Sequence, residues 1–275
     1  MEYRKTQKKR LCPEKTRSWR KKEIQMSGHS KWATIKHKKA ASDAKRGKIF
    51  TSLIKEITVA ARIGGGDPES NPHLRAAVAS AKAENMPLEN IKRAIQRGTG
   101  ELPGVTYEEA SYEAYGPHGV AIIVEVATDN RNRTVSEIRH LFGRHGGSLG
   151  EAGCVSWMFS KRGSISVPKH SATEDRLLGI VLDVGIEDLR DDGEQWEIIC
   201  LPEAFEAVLQ ALRAVRIEVA SSEVALLPQN YIKLEGQQAQ QMLRLLDALE
   251  EHEDVQHVYS NFDFDAQELE RVSGG

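Results

Sequence analysis

Between residues 31 and 48 the chain sets Lys31, Lys36, Lys38, Lys39, Lys45, Arg46 and Lys48 against a single acid, Asp43, with Trp32 and His37 interleaved. Cations packed this densely displace condensed counterions when they meet phosphates, which gives an affinity that falls with salt and tolerates many sequences. Trp32 adds a flat ring on which an unpaired base can stack. A run of charge is ordinarily a solvated face. Seven cations in eighteen residues with one acid tip the reading toward nucleic acid. His29 and His37 have no third partner at ligand spacing, so no metal is expected there. The candidate binding residues of this stretch are Lys31, Trp32, Lys36, His37, Lys38, Lys39, Lys45, Arg46 and Lys48.

Arg131 and Arg133, in TDNRNRT, form a second candidate, because they sit just before a capped helix whose free amides and dipole favour anions. Pairing with Asp129 is the competing reading. Lys92, Arg93 and Arg97 lie on a helix and can extend the basic surface or simply be solvated. Enzyme chemistry would need a nucleophile beside a base, or paired carboxylates in different environments, and neither is visible. The remote alternative is a metal-dependent nuclease built from His118, Asp129 and Glu151. The reading is a non-enzymatic protein with no cofactor.

The elements that must carry these residues are strongly polarised in charge. Residues 1 to 100 hold 24 Lys and Arg against 9 Asp and Glu; residues 101 to 275 hold 14 against 31. Such asymmetry under a total of only −2 suits a chain with one end on a polyanion. The acidic remainder can contact a protein such as polymerase or a ribosomal protein, or keep nucleic acid to one end. Three cysteines without ligand spacing suggest reduced thiols and a cytoplasmic setting. No window approaches a membrane span. Residues 1–25 carry ten cations and no apolar period, and two readings stay open: a disordered basic extension, or an artefact of start assignment with translation beginning at Met26.

Hydrophobic period sorts the rest. Ile49, Phe50, Leu53, Ile54 and Ile57 recur as one helix stripe; Asn71 caps a second helix with Pro72 at its first position; Pro87 to Arg97 makes a third, with Leu88, Ile91 and Ile95 inward. Then the period changes. Val120–Val126 reads as a buried strand, Thr134–Glu137 as a capping box opening a helix, and Val155–Ser160 as a returning strand. From Ser164 the order strand, helix, strand, strand, helix, strand forms a second complete unit, and a helix from Gln237 and a strand at Val255–Tyr259 remain. The expected fold is α+β: a helical domain at 26–100, an α/β sandwich from 101–162 plus 231–275, and a second ferredoxin-like sandwich, 163–230, inserted in the first.

MSGHSKWATIKHKKAASDAKRG from Met26, GGDPESNPHLRAAVASAKAENMP, YGPHGVAIIVEVATDNRNRT, GGSLGEAGCVSWMF and VQHVYSNFD resemble, in series, the motifs of the YebC/PmpR family. The likeness runs to about Asp263, with 168–195 poor in family-like motifs. It implies a helical domain plus two α/β sandwich domains, no enzyme activity and a cytoplasmic location. Members are usually described as DNA-binding transcriptional regulators; others, and mitochondrial relatives that activate translation of a cytochrome oxidase subunit, act as ribosome-associated translation factors, including relief of stalling at proline stretches. The resemblance thus implies DNA or ribosomal RNA as partner without choosing between them. The reading leans to transcription.

Overall fold

The computed structural model describes residues 43–264, with side chains from Gly47 onward. Helix α1 (Asp43–Gly64), α2 (Pro72–Ala83) and α3 (Leu88–Gly98) come first. They close on Leu53, Ile57, Leu74, Val78, Ala81 and Ile91, as helical period predicts, with Ala77 packed among them. Asn71 ties α1 to α2. Its Oδ1 accepts from the Leu74 amide at 3.1 Å, and its Nδ2 donates to the Ala60 and Gly65 carbonyls. Leu88 was expected inward but is 70% exposed, because it starts α3 beyond the edge of that core.

The middle sheet has the order β3-β1-β2-β9, from β1 (Glu108–Tyr115), β2 (Ala121–Thr128), β3 (Ser148–Leu149) and β9 (Val255–Ser260). Helices α4 (Arg131–Arg144) and α7 (Gln237–Glu250) cover one face through Ile138, Phe142, Met242 and Leu246. Ala121 and Ile123 of β2 pack the other way, against Val155, Phe159 and Leu226. Burial on both faces explains the unbroken apolar run of β2. Strand β9 pairs antiparallel with β2, Val124 opposite Val258.

Between them in sequence lies the second sheet, order β5-β6-β4-β7: β4 (Phe159–Pro168), α5 (Glu174–Val181), β5 (Ile186–Asp192), β6 (Gln195–Cys200), α6 (Phe205–Ala214) and β7 (Ser221–Pro228). A short parallel pair, β8 (Ile232–Lys233) with β10 (Phe262–Asp263), follows. The fold is therefore α+β, with helices leading and the third domain inserted in the second.

Three expectations are corrected. Val155–Ser160 is no strand of the middle sheet: Ser156–Met158 is a 3-10 turn and Phe159 begins β4, which spans the boundary expected at residue 162. The strand that sheet needed is β1, whose Glu108, Glu109 and Glu113 hid it from a search for apolar runs. Finally, α4 starts at Arg131 with Asn130 as its cap, accepting from the Arg133 amide; Thr134 lies in the first turn, fully buried.

Candidate nucleic-acid interface

Of the expected binding residues, Lys31, Trp32, Lys36, His37, Lys38 and Lys39 lie outside the described residues, and of Lys45 and Arg46 only the backbone, in the first turn of α1, is described. Lys48 is within reach of the body: its ammonium donates to the Glu250 carbonyl at the end of α7. Two turns on, Lys55 is buried. Its Nζ sits 2.7 Å from Asp254 Oδ1 and 2.9 Å from the Glu253 carbonyl, with the Tyr107 ring centroid 5.3 Å away. Ser52 adds a bond to Gln256 Oε1 at 2.7 Å. Ser52, Lys55, Glu56 and Val59 recur at helical spacing, so α1 has a second buried face, turned to the middle sheet.

Asp254 is the hub of that contact. Besides Lys55 it accepts from Arg133 Nη2 at 2.9 Å and Thr134 Oγ1 at 2.7 Å on Oδ2, with Thr128 Oγ1 at 3.2 Å. Burial alone would raise its carboxyl, but the donors on Lys55, Thr134 and Arg133 prevail and hold it far below the usual carboxylate range. Arg133 also bonds Asp129 at 2.8 Å and lies 4.0 Å from Glu137, so its half-exposed guanidinium is shared among three acids of the same domain. Arg131 is exposed at the start of α4. The structure thus separates the two arginines: Arg133 holds the hub together, and Arg131 faces solvent.

Other groupings resolve differently. His118 and Asp129 flank the two ends of the eight-residue β2, roughly 25 Å apart at about 3.3 Å per residue, so the His118–Asp129–Glu151 triad is not assembled. Glu137, His252 and Asp254 bring ligand atoms within 4.8 Å of one another. These are already paired: His252 Nε2 lies 2.9 Å from Glu137 Oε2, and its Nδ1 accepts the Asp254 amide at 3.1 Å. With Lys55 and Arg133 on Asp254, a divalent ion would meet two positive side chains, and the residues do not fit one.

Sequence reasoning missed two features. Lys55 lies off the marked stripe; the only signal was Val59, four residues on, an apolar residue on that same second face. Trp157 is 65% exposed, its indole N–H held on the Cys154 carbonyl at 3.1 Å. The loop beneath it is anchored by Glu113, whose carboxylate accepts amides of Gly153, Val155 and Ser156 at 2.7–2.8 Å. Burial opposes ionisation of Glu113, and those three amides overcome it, holding its carboxyl below the ordinary value.

Comparison with known proteins agrees with this architecture. Residues 30–101 match the model of the TACO1/YebC protein N-terminal domain, and 107–262 that of the TACO1/YebC second and third domain. Proteins named probable transcriptional regulatory protein are similar throughout: one from Koribacter versatilis is 66% identical over 249 residues, 90% of this chain and 100% of its own, and one from Acidobacterium capsulatum is 62% identical with the same coverage. A crystal structure of a conserved hypothetical protein from Aquifex aeolicus superposes with a TM-score of 0.76 at 47% identity, covering 86% of this chain and 97% of that one.

Proposed function

We propose, from the premise that this chain belongs to the TACO1/YebC family, that it regulates gene expression by binding nucleic acid through its basic N-terminal residues and helical domain, without catalysing a reaction. Its relatives carry the name of probable transcriptional regulators, and DNA is the polymer this reading favours. The observation that carries it is the division of charge. From Met26 to Gly100 there are 14 cations and 6 acids, on a body that is strongly acidic. Lys48 and Lys55 are used to seat α1 on that body, which leaves Lys31, Lys36, Lys38, Lys39, Lys45, Arg46 and exposed Arg131 to meet phosphates. A cytoplasmic setting follows from either partner, and among the described residues no helix is long and apolar enough to cross a membrane.

Exposed Trp157 favours a second reading, a ribosome-associated translation factor, because a presented aromatic ring stacks on unpaired RNA bases more readily than it enters a DNA duplex. Crosslinking in cells, followed by sequencing of the bound DNA and RNA, separates the two. The first reading expects enriched DNA sites and the second enriched ribosomal RNA; recovery of neither sinks both.

A further inference from the structure

We infer that the cleft where α1 and α3 meet the linker 99–107 binds one nucleotide unit, with its phosphate on Arg62 and Arg97. The inference rests on the nucleic-acid reading above and joins Arg97, marked in the sequence only as one cation of a basic helix, to Arg62, which no basic run marks. The cleft encloses about 260 Å3 between Thr58 and Arg62 of α1, Arg97 and Gly98 of α3, and the linker up to Tyr107. Arg62 Nη1 donates to the Tyr107 carbonyl at 3.0 Å, which fixes the guanidinium at the cleft and leaves its remaining N–H groups uncommitted. Neither Arg62 nor Arg97 has an acidic partner among the described residues, whereas neighbouring Arg93 pairs with Glu89.

Glycines shape the walls. A Cβ on Gly98 would lie 2.4 Å from the Thr58 carbonyl oxygen, so this close approach of α3 to α1 requires glycine. A Cβ on Gly104 would lie 3.3 Å from Arg97 Cδ, so the linker runs along the arginine stem. Each arginine stands in the last turn of its helix, where one cation offsets the carbonyl end of the dipole. That role accounts for a charge on each helix. It does not account for two guanidiniums without acidic partners lining one cavity, an arrangement suited to the several oxygens of a phosphate. Leu102 and Val105, both exposed on the rim, offer apolar surface to a sugar or base.

The phosphate can belong to a strand or to a free nucleotide, and two titrations of the full chain distinguish these. A labelled twelve-nucleotide oligo(A) should bind the Arg62→Gln/Arg97→Gln variant about tenfold more weakly, with a salt slope smaller by about 0.7 for the one phosphate lost. Adenosine monophosphate should bind saturably, and lose that binding in the variant, if the cleft also takes free nucleotides. Unchanged oligonucleotide affinity and slope together with no binding of the monophosphate overturns the inference. Should the unaltered protein bind no oligonucleotide, the broader reading fails, and the monophosphate titration alone still decides the cleft. Arg62→Lys/Arg97→Lys keeps the helix-end charges; it should bind more weakly than the unaltered protein while melting at the same temperature. If instead the Gln variant melts lower, the Lys variant does not, and neither changes oligonucleotide or monophosphate binding, the arginines serve the helix ends and the cleft is no site.

Discussion

At the scale of single residues, Asp254 shows how a buried carboxylate is made tolerable. It receives Lys55, Arg133, Thr134 and Thr128, each from an element distant in sequence, so nothing near residue 254 announced it. Half of the arrangement was legible: Arg133 and Asp129 stand four apart, and their pairing was already a reading of the sequence. The other half needed the fold. Removing the acid while leaving Lys55 buried should cost about 3–5 kcal/mol, so urea unfolding of Asp254→Ala should show a midpoint shifted down accordingly. The pH dependence has a definite sign. A carboxyl depressed in the folded state binds its proton more readily when unfolded, so its contribution is present above the ordinary value of 3.8 and is lost as pH falls toward the lower folded value. Stability of the unaltered protein should therefore drop below pH 4 more steeply than that of Asp254→Asn; equal slopes would remove Asp254 from the account.

At the scale of elements, the helices were readable because their stripes and caps are local. Asn71, Pro72 and the Leu74 stripe specify α2 without reference to the rest of the chain. Asn71→Ala should lower stability by about 2 kcal/mol in thermal or urea unfolding, the upper end for a cap, because the amide also serves the Ala60 and Gly65 carbonyls. Gly98 sets two effects against each other. Alanine improves helix propensity by about 1 kcal/mol, but the methyl would meet the Thr58 oxygen at 2.4 Å, and overpacking costs about 1–3 kcal/mol. The clash should win, so Gly98→Ala should melt at a lower temperature than the parent. Strand β1 was not readable for the opposite reason. Glu113 has its partners elsewhere, in the amides of the loop that presents Trp157, and Glu108 and Glu109 are exposed, so acidic residues mask the strand period.

At the scale of the molecule, the charge division visible in composition is used once within the fold and, under the proposed function, a second time outside it. Part of the positive charge seats the helical domain on the acidic body, through Lys48 on the Glu250 carbonyl and Lys55 on Asp254; under the proposed function the remainder meets a polyanion. The sequence could count the cations but not assign them, because pairing depends on which surfaces meet. The candidate residues Lys31 to Lys39 lie outside the described residues, so their part rests on composition; Arg97 was already a candidate for the basic surface, whereas Arg62 and the cleft it shares with Arg97 emerged only when α1, α3 and the linker were brought together. The most direct test is the salt dependence of nucleic-acid binding by protein lacking residues 1–25, compared with its Lys36→Ala/Lys38→Ala/Lys39→Ala variant. The account predicts affinity for DNA or RNA that falls linearly on logarithmic axes, with a slope reduced in the variant by up to about 3. No binding to either polymer at about 20 mM salt, where phosphate contacts are strongest, would contradict it.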